Sequence, residues 1–523
     1  MRRLLFHLRR TVRDLRRGGV RVLVRKLRRT PAALLRSGPF RLARGLADLV
    51  VLFSLAVRDR RGTHGRDWIL ERLQLLRMAA STARRDEVDA IVRRVRASVS
   101  VGRLAEARET LEAVPTRVVR DPRILHERSQ VHYLHGEWTE AVAAKIDEVR
   151  ARDEEVSGSW LGRLGARFVS GAFIGHIGHL GLIDLVVKAR ELGLLSPEPR
   201  QVVARRESVA NAPYLECWRP HVGIAYVDVE QYRAFEAAMR PLFDDVSVVR
   251  LRSGLTDFYS AYASVNERWR LEGRGALLVP DPGVVARGRE VLARHGLDPE
   301  GWFVGLHVRE GDPHWWTNAV DADPSSYVPM IESIAAAGGT VVRMGSPETT
   351  PLPRVKGCSD YAHLPVRSAE ADVAIWSQCR FFVGTGSGPM NVPHTFGRPS
   401  ILTNMPAIGL DQGFDAHLML PKLVVDGGGA PVPFDEVVQS RFGWGISRSH
   451  AGSDWRFVDN DAEDLVAAAG EMLRLTGGAG AWSVTPRQRQ VADRLHALGR
   501  TGRSAFPESF LERHAAAVPS VPR

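Results

Sequence analysis

Polar side chains of three kinds close one of the most apolar runs in the chain. Residues 303–308 are apolar or glycine except for His307, and Arg309 and Asp312 follow directly. Such a run predicts a strand that is covered on both faces. Arginine is a fixed cation suited to bidentate contact with phosphate, and histidine and aspartate can hold or move a proton. The cluster indicates either a site for phosphate and proton chemistry or a strand end that is simply solvated.

A glycine-rich turn follows a second apolar run about seventy-five residues later. It alternates glycines with hydroxyl side chains: Gly384, Thr385, Gly386, Ser387 and Gly388. Glycines allow positive φ and close approach of a ligand, and Pro389 suits the first turn of a helix. Unpaired N–H groups at a helix start bind anions. The turn predicts a site for a nucleotide diphosphate, with a tight structural turn as the alternative.

The elements around these motifs alternate regularly. We predict helices at 324–337 and 369–379 and strands at 340–344 and 399–403. This alternation is typical of an α/β domain with a mostly parallel sheet, whose strands end at one rim where ligands bind. Gly345 and Ser346 would join Arg309 at that rim. Asp372 would either contact a ribose or base there or satisfy the dipole of its helix start.

These motifs together resemble a known group of enzymes. The sequences His-Val-Arg-x-Gly-Asp at 307–312, Ser-x-Cys at 377–379 and Phe-x-Val-Gly-Thr-x-Ser-Gly-Pro at 381–389 are similar to the nucleotide-binding half of fucosyltransferase-like GT-B glycosyltransferases. The chain more closely resembles an uncharacterised bacterial family of glycosyltransferases from surface-polysaccharide clusters. That family also carries an Ile-Gly-His-Leu loop, here 177–180, and a Pro-x-Ser-Phe-Leu segment, here 507–511. The resemblance covers residues 165–515.

The resemblance implies a GT-B pair of Rossmann-like lobes and a nucleotide-diphosphate sugar as donor substrate, without a further cofactor. Arg309 would hold the donor's β-phosphate, residues 384–388 would hold the pyrophosphate, and the anomeric centre would be inverted. Members often have a second basic residue after the arginine, and here Glu310 stands there. A GDP-sugar therefore stays open as donor, but GDP-fucose does not follow. Trp315 and Trp316 also depart from the group, and they either stack on a sugar face or pack.

The upstream half predicts a second lobe on the acceptor side. We predict strands at 167–174, 202–204, 222–227 and 246–251 and helices at 180–192 and 229–242. His176 and His179 lie in a glycine-rich turn between the first strand and the first helix. They are candidates for acceptor contact or for the base that deprotonates the acceptor hydroxyl, as is Asp312. The alternative is that both histidines are structural.

We predict no metal site. His-x-x-His can bind zinc, but no cluster of cysteine or carboxylate ligands accompanies it. Asp321 and Asp323 form an Asp-x-Asp pair that could hold a divalent ion against a diphosphate. Asp323 precedes Pro324 at a predicted helix start, which favours a capping role. Arg309 and helix dipoles would then neutralise the leaving diphosphate.

The amino-terminal segment, residues 1–62, carries most of the net charge. Residues 1–44 hold fifteen Arg or Lys and one acid, whereas the whole chain has a net charge of +12. Leucines interleave with these arginines, which favours an amphipathic helix on anionic lipid over residues 1–57. Nucleic acid is the less favoured partner, and a solvated arm is a further alternative. The apolar stretch 46–57 is too short to span a bilayer, and no signal peptide is evident.

Residues 63–155 read as a helical region with a faint repeat. Gly102-Arg-Leu-Ala-Glu-Ala recurs as Gly136-Glu-Trp-Thr-Glu-Ala, 34 residues later, which is the tetratricopeptide period. The region would bind a protein partner or act as a spacer between the membrane segment and the catalytic lobes.

The remaining boundaries follow from composition and turn signals. We predict an acceptor-side lobe at 156–295, a nucleotide-sugar lobe at 296–480, and a terminal helix and tail at 481–523, and GT-B chains commonly return to the first lobe near their end. Three cysteines without paired spacing favour a reducing compartment. The sequence thus predicts a cytoplasmic, membrane-associated glycosyltransferase acting on a growing, lipid-linked surface glycan. Alternatives are a non-catalytic scaffold and a basic-arm nucleic-acid binder.

Overall fold

The computed structural model describes residues 82–157, 162–195, 198–244, 247–296, 298, 301–311, 318–365, 367–414, 416–444, 453–478 and 482–518. The predicted membrane-surface segment, the first part of the helical region, Asp312, Trp315 and Trp316 lie outside these residues.

The helical region consists of two helix pairs with the same turn. Its helices are α1 (Thr82–Ser100), α2 (Leu104–Glu112), α3 (Pro122–Leu134) and α4 (Trp138–Val156). Gly102 and Gly136 close the two turns with φ of 78° and 72°, a conformation that favours glycine. Ala107 and Ala141 are buried at equivalent positions in the second helix of each pair. The pairs therefore repeat one local structure at a displacement of 34, and their membership of the tetratricopeptide class stays a prediction.

The first lobe is built on a four-stranded parallel sheet in the order β3-β2-β1-β4. Its strands are β1 (Arg167–Val169), β2 (Arg200–Ala204), β3 (Gly223–Tyr226) and β4 (Phe243–Asp244), and an antiparallel hairpin adds β5 (Val248–Leu251) and β6 (Gly254–Asp257). Its helices are α5 (Gly171–Gly175), α6 (Ile177–Gly181), α7 (Ile183–Glu191), α8 (Ala212–Cys217), α9 (Val229–Met239) and α10 (Phe258–Leu271).

The predicted strand 167–174 is wrong beyond its first three residues. The chain leaves the sheet at Ser170 and enters α5, where Phe173 and Ile174 are buried. A short apolar run can form either a buried strand or a buried helical turn, and periodicity alone does not separate the two.

The second lobe contains a six-stranded sheet, parallel throughout, in the order β12-β11-β10-β7-β8-β9. Its strands are β7 (Phe303–His307), β8 (Thr340–Met344), β9 (Cys358–Ser359), β10 (Phe382–Gly384), β11 (Ser400–Met405) and β12 (His417–Pro421). Helices α11 (Pro282–Ala293), α12 (Val328–Ala336) and α13 (Ala369–Gln378) accompany them, and α11 packs on α13. Within the lobe this is the doubly wound order 3-2-1-4-5-6, whose topological switch point lies between β7 and β10. The predicted α/β class with parallel sheets is confirmed.

The carboxyl-terminal elements pack mainly on the second lobe. They comprise the antiparallel pair β13 (Leu423–Val425) and β14 (Arg456–Val458) and helices α14 (Phe434–Gln439), α15 (Arg441–Trp444), α16 (Ala462–Gly477), α17 (Pro486–Ala497) and α18 (Glu508–Arg513). Val491, Leu495 and Phe510 share one buried core with Val304 and Leu418 of the second sheet. These apolar side chains cover the second sheet, and Arg503 also contacts Glu267 of α10 in the first lobe at 3.1 Å.

The two lobes share a continuous core. Buried residues of the first lobe, such as Phe173 and Tyr214, belong to the same apolar cluster as Trp376 and Phe414 of the second.

A buried polar network crosses the same boundary. Asp184 of α7 is fully buried and lies 2.8 Å from Lys188 Nζ. The Tyr262 hydroxyl donates to Asp184 at 2.9 Å and lies 2.8 Å from His394 Nε2 of the second lobe. Burial lowers the pKa of His394, although the neighbouring Asp184 opposes this. Such a network fixes one relative position of the lobes, because each member would otherwise be buried without a partner.

Candidate functional site

The two motifs singled out by sequence meet at the switch point of the second sheet. The backbone N–H of Thr385 donates to the His307 carbonyl at 3.2 Å, which pairs the ends of β10 and β7. The Thr385 side chain is fully buried, and its Oγ1 accepts from the Arg309 N–H at 2.9 Å. Ser387 Oγ lies 3.0 Å from His307 Nδ1. The glycine-rich turn thus holds the backbone from which the Arg309 side chain projects.

Arg309 is oriented by the carboxylate of Asp321, which the sequence had suggested as one half of a metal-binding pair. Its Nε lies 3.3 Å from Asp321 Oδ1, and Asp321 is only 7% exposed. This contact uses Nε and does not require the two terminal guanidinium nitrogens. The Arg309 side chain keeps 29% of its surface exposed. A guanidinium held through Nε on a side chain that stays partly exposed is suited to phosphate contact.

The Asp-x-Asp pair does not act as a unit. Asp323 accepts from the Ser325 N–H at 2.9 Å and caps the following helical turn, as predicted. Its neighbour Asp321 turns to Arg309, and the Asp321 carbonyl accepts from Lys422 Nζ at 2.7 Å. Among the described residues no cluster of three His, Cys, Asp or Glu side chains suits a metal ion. The Asp-x-Asp spacing alone does not distinguish a metal ligand, a helix cap and a partner of arginine, because the role of each carboxylate depends on the loop that it faces.

His307 is held in its neutral form. Burial lowers its pKa to about 4, and the positive charges of Arg343 and Arg309 add to that effect. A neutral imidazole with Nδ1 beside the Ser387 hydroxyl can accept or share a hydrogen bond, but it is not a cationic acid near pH 7.

The glycine-rich turn differs from its prediction in two respects. First, Gly384, Gly386 and Gly388 are absent from the positive-φ glycines of the described chain. Gly388 instead provides close packing: a Cβ on Gly178 of α6 would overlap the Gly388 Cα and lie 2.9 Å from its carbonyl oxygen. In the same way, a Cβ on Gly181 would overlap the Asn391 backbone. The glycines therefore bring two backbones together across the lobe boundary.

Second, no long helix follows the turn. Two short 3₁₀ turns take its place, Gly388–Asn391 and Pro393–Phe396, with Pro389 in the first turn as expected. Pro393 has no N–H to donate and disfavours the helical conformation at Val392. The predicted helix dipole at the glycine-rich turn is therefore wrong, because only short 3₁₀ turns follow it.

The histidine-containing turn of the first lobe lies against the glycine-rich turn. Because α6 packs on the Gly388–Asn391 turn, His176 and His179 stand at the lobe boundary beside residues 384–388. Their rings are 5.3 Å apart in an edge-to-face arrangement, and His176 is exposed. Two regions more than two hundred residues apart in sequence, each proposed as functional, are thus neighbours in space.

Glu310, which replaces the second basic residue often found in the group that the sequence resembles, is hydrogen-bonded to a neighbouring loop. Its carboxylate lies 2.7 Å from Arg343 Nη2 and accepts from the Thr350 N–H at 2.8 Å. Arg343 is fully buried and also contacts Asp360 at 3.2 Å. Glu310 therefore ties the loop after β7 to the loop after β8, where the predicted residues Gly345 and Ser346 lie.

Asp372 lies in the first turn of α13, at the helix start that its alternative prediction named, and it also faces the first lobe. Ser368 caps α13 by accepting from the Ala371 N–H at 3.1 Å. The Asp372 carboxylate lies 3.5 Å from Asn211 Nδ2 of the first lobe, and burial raises its pKa to about 6. Its predicted contact with a ribose or base stays a prediction.

Comparison with known proteins gives the following. No protein-family profile matches the chain, and no curated protein matches it. Among solved structures, it is similar to a glycosyltransferase family 9 protein from Veillonella parvula DSM 2008, at 12% identity and a TM-score of 0.35, over 59% of this chain and 98% of that one. It is also similar to ADP-heptose LPS heptosyltransferase II of E. coli, at 12% identity and a TM-score of 0.32, over 49% of this chain and 89% of that one.

A third similar structure is the iron-containing dodecameric glycosyltransferase TibC of enterotoxigenic E. coli H10407, at 13% identity and a TM-score of 0.30, over 65% of this chain and 74% of that one. These proteins are all glycosyltransferases. At TM-scores below 0.5 the likeness carries no argument about this chain, whose function has to follow from its site.

Proposed function

We propose that this chain is a glycosyltransferase that moves a sugar from a nucleotide-diphosphate donor to a glycan acceptor. The observation that carries the proposal is the junction of β7 and β10, where the partly exposed Arg309 follows β7 and the His176–His179 turn of the facing lobe packs on the turn after β10. Doubly wound sheets bind ligands at this junction, and the cation present there suits a diphosphate. A second parallel sheet on the other side supplies the surface that an acceptor requires.

The reaction follows from these positions. An acceptor hydroxyl oxygen attacks the anomeric carbon of the donor sugar, and the bond from that carbon to the diphosphate oxygen breaks. The diphosphate leaves with the electron pair, and the Arg309 guanidinium stabilises its developing charge. A base takes the hydroxyl proton; His176, His179 and Asp312 are the candidates. Attack opposite the leaving group inverts the anomeric centre, and no metal is required.

The proposal extends to the acceptor, the attachment to the membrane and the donor nucleotide. The acceptor is a lipid-linked surface glycan, and residues 1–57 hold the enzyme on the cytoplasmic face of the membrane through anionic lipid. None of the described helices combines the length and apolar character needed to cross a bilayer. A GDP-sugar is among the donors to be tested.

Nucleotide binding by the full-length protein tests the proposal. Thermal stability is measured with GDP, UDP, ADP, CMP and dTDP and with their sugars. One nucleotide is expected to stabilise the wild type selectively. Arg309→Ala is expected to weaken its binding by about 10- to 100-fold, since hydrogen bonds to charged groups contribute about 1.5–3 kcal/mol.

Arg354→Ala provides a control, because Arg354 is an exposed arginine of the same lobe. Transfer to a glycan, or slow hydrolysis of the bound sugar nucleotide, then separates an enzyme from a nucleotide-binding scaffold. If no nucleotide stabilises the wild type, or if Arg309→Ala binds as tightly as Arg354→Ala, the proposed site is wrong.

A further inference from the structure

A buried polar network lies behind the candidate site, around the carboxyl ends of β11 and β12. Its five residues are at most 3% exposed: Tyr327, Thr403, Asn404, Lys422 and Asn460. Two of them lie in β11, Lys422 follows β12, and Asn460 lies two residues before α16. Burying polar side chains is unfavourable unless each is hydrogen-bonded, and a buried lysine is uncommon. Once its members are paired, however, such a network holds polar groups in fixed positions.

The centre of the network is an irregular position in β11. Asn404 has a φ of 52°, in the left-handed region, and the pairing of β11 with β12 shifts its register between Leu402 and Met405. Two reciprocal hydrogen bonds hold this conformation. The Asn404 N–H donates to Asn460 Oδ1 at 2.6 Å, and the Asn460 N–H donates to Asn404 Oδ1 at 2.8 Å. The surrounding polar groups thus maintain a backbone conformation that costs free energy.

One branch of the network reaches the glycine-rich turn. Asn404 Nδ2 donates to the Tyr327 hydroxyl at 2.9 Å, and that hydroxyl lies 2.7 Å from Thr403 Oγ1. Thr403 Oγ1 donates to the Gly384 carbonyl, at the end of β10, at 3.3 Å. Each hydroxyl can accept one hydrogen bond and donate the next, so the directions agree along the whole branch.

The other branch reaches the loop that follows β7. Lys422 Nζ donates to the Asp321 carbonyl at 2.7 Å and lies 2.6 Å from Asp459 Oδ1. Asp459 directly precedes Asn460 of the network. Asn460 Nδ2 donates to the carbonyl of Pro421, the residue before Lys422, at 2.9 Å. The lysine and its carboxylate partner are therefore fixed by the same asparagine.

Asp321 transmits this restraint to Arg309. The Asp321 carboxylate lies 3.3 Å from Arg309 Nε, and the N–H of the next residue, Ala322, donates to the Arg309 carbonyl at 3.0 Å. Both the side chain and the backbone of Arg309 are thus tied to the segment that Lys422 holds. The Lys422 side chain is only 1% exposed. It therefore acts on a ligand through these residues and not by direct contact.

We propose that Lys422 is a positioning residue of the donor site, which holds Asp321 and, through Asp321, the Arg309 guanidinium where the donor diphosphate binds. The inference rests on the proposed function and adds a residue that lies outside the sequence motifs. An ammonium group is costly to bury, and here the oxygens of Asp321 and Asp459 offset that cost. The benefit is preorganisation: a guanidinium that is fixed before the diphosphate arrives loses less conformational entropy on binding.

The test measures how much the second phosphate adds to binding. GDP, UDP, ADP and dTDP are titrated into the full-length protein by calorimetry, each beside its monophosphate, and the pair that binds the wild type is kept. The ratio of the monophosphate to the diphosphate dissociation constant reports the contact of the β-phosphate with Arg309. Lys422→Met removes the ammonium and keeps a long side chain. It is expected to lower the ratio by about 3- to 10-fold, a part of the loss of about 10- to 100-fold expected for Arg309→Ala.

Two controls separate positioning from other effects. Lys145→Met removes another buried lysine, which lies 2.8 Å from Glu148 in the helical region, and it should lower stability without changing the ratio. Lys422→Met is also combined with Arg309→Ala. In that background it should not lower the ratio further, because a residue that acts through Arg309 has no effect once Arg309 is absent. A direct effect of the lysine charge on the phosphates would persist there.

Two results would overturn the inference: an unchanged ratio in Lys422→Met, or an equal loss of the ratio with and without Arg309. If Lys422→Met does not fold, Asp459→Asn decides, because the Asp459 side chain is 45% exposed. Removing that negative charge would by itself favour the diphosphate, so a lower ratio shows lost positioning and an equal or higher ratio contradicts it. A wild type that binds no nucleotide contradicts the proposed function itself, whereas an unchanged ratio leaves nucleotide binding at Arg309 in place.

Discussion

Gly178→Ala is the most direct perturbation of the contact between the lobes at the candidate site. The added methyl group would overlap the Gly388 Cα and lie 2.9 Å from the Gly388 carbonyl oxygen and 3.1 Å from its carbonyl carbon. All three atoms are backbone, so no side chain can rotate away. Both turns are also held by their neighbours, because Ser387 contacts His307 and α6 packs on the Gly388–Asn391 turn.

The rigidity of these two backbone turns determines how much stability Gly178→Ala is expected to lose. Overpacking a well-packed interior costs about 1–3 kcal/mol, and the upper part of that range applies where only backbone can move. Gly178→Ala should therefore lower the free energy of unfolding by about 3 kcal/mol and displace the turn that holds Arg309. Gly175→Ala is the control three residues earlier, where a Cβ would meet only the Ser208 carbonyl oxygen at 3.9 Å. That variant should change stability by less than about 1 kcal/mol, because alanine fits a helical position better than glycine.

Urea unfolding of both full-length variants measures the difference. Binding of a nucleoside diphosphate is then compared at a temperature where each variant is folded. Equal midpoints for Gly178→Ala and Gly175→Ala would refute the close backbone packing of the two turns. A destabilised Gly178→Ala with wild-type nucleotide affinity would show that the packing does not position Arg309.

Two further predictions concern buried carboxylates. Asp184→Asn leaves Lys188 buried without its counter-charge at 2.8 Å, so it should destabilise the protein by about 3–5 kcal/mol in urea unfolding, and a change below about 1 kcal/mol would contradict the pairing. The pKa of Asp372 is raised by burial to about 6 in the folded chain, above its value in the unfolded chain. Ionisation of Asp372 therefore lowers the free energy of unfolding as pH rises from about 4 to above 6. Asp372→Asn removes this titration, so the free energy of unfolding of the variant should fall less over that pH range. Identical pH profiles for wild type and variant would show that Asp372 is not desolvated.

The sequence predicted best those features that depend on local patterns. The strand 340–344 coincides with β8 (Thr340–Met344), and the helix 369–379 exceeds α13 by one residue. The meeting of Arg309 with residues 384–388 also followed from sequence, because parallel strands joined by right-handed crossovers end at one rim. These inferences require only the period of apolar residues and one rule of chirality.

The contacts that shape the site were not predictable in the same way. The pairing of Arg309 with Asp321 depends on the path of an irregular loop, whereas the Asp-x-Asp spacing suggested a metal pair and, more strongly, a helix cap. The packing of Gly178 on Gly388 joins glycines more than two hundred residues apart. The residues around each glycine do not indicate that the other one is its neighbour. The absence of a long helix after the glycine-rich turn could have been predicted from the sequence. Pro393, four residues after Pro389, lacks the N–H that a continuous helix requires at that position.

The packing between the lobes limits how a ligand can reach Arg309. Phe396 and Phe414 of the second lobe contact Tyr214 and Tyr262 of the first at ring-centroid distances of 5.7 and 5.2 Å. Exposing the two phenylalanines alone would cost about 3–6 kcal/mol, before the buried Asp184 network is broken. A ligand bound at micromolar affinity provides about 8 kcal/mol in total, so opening the lobes would consume most of it. We therefore expect a ligand to reach Arg309 from the exposed part of that side chain while the lobes stay packed on each other.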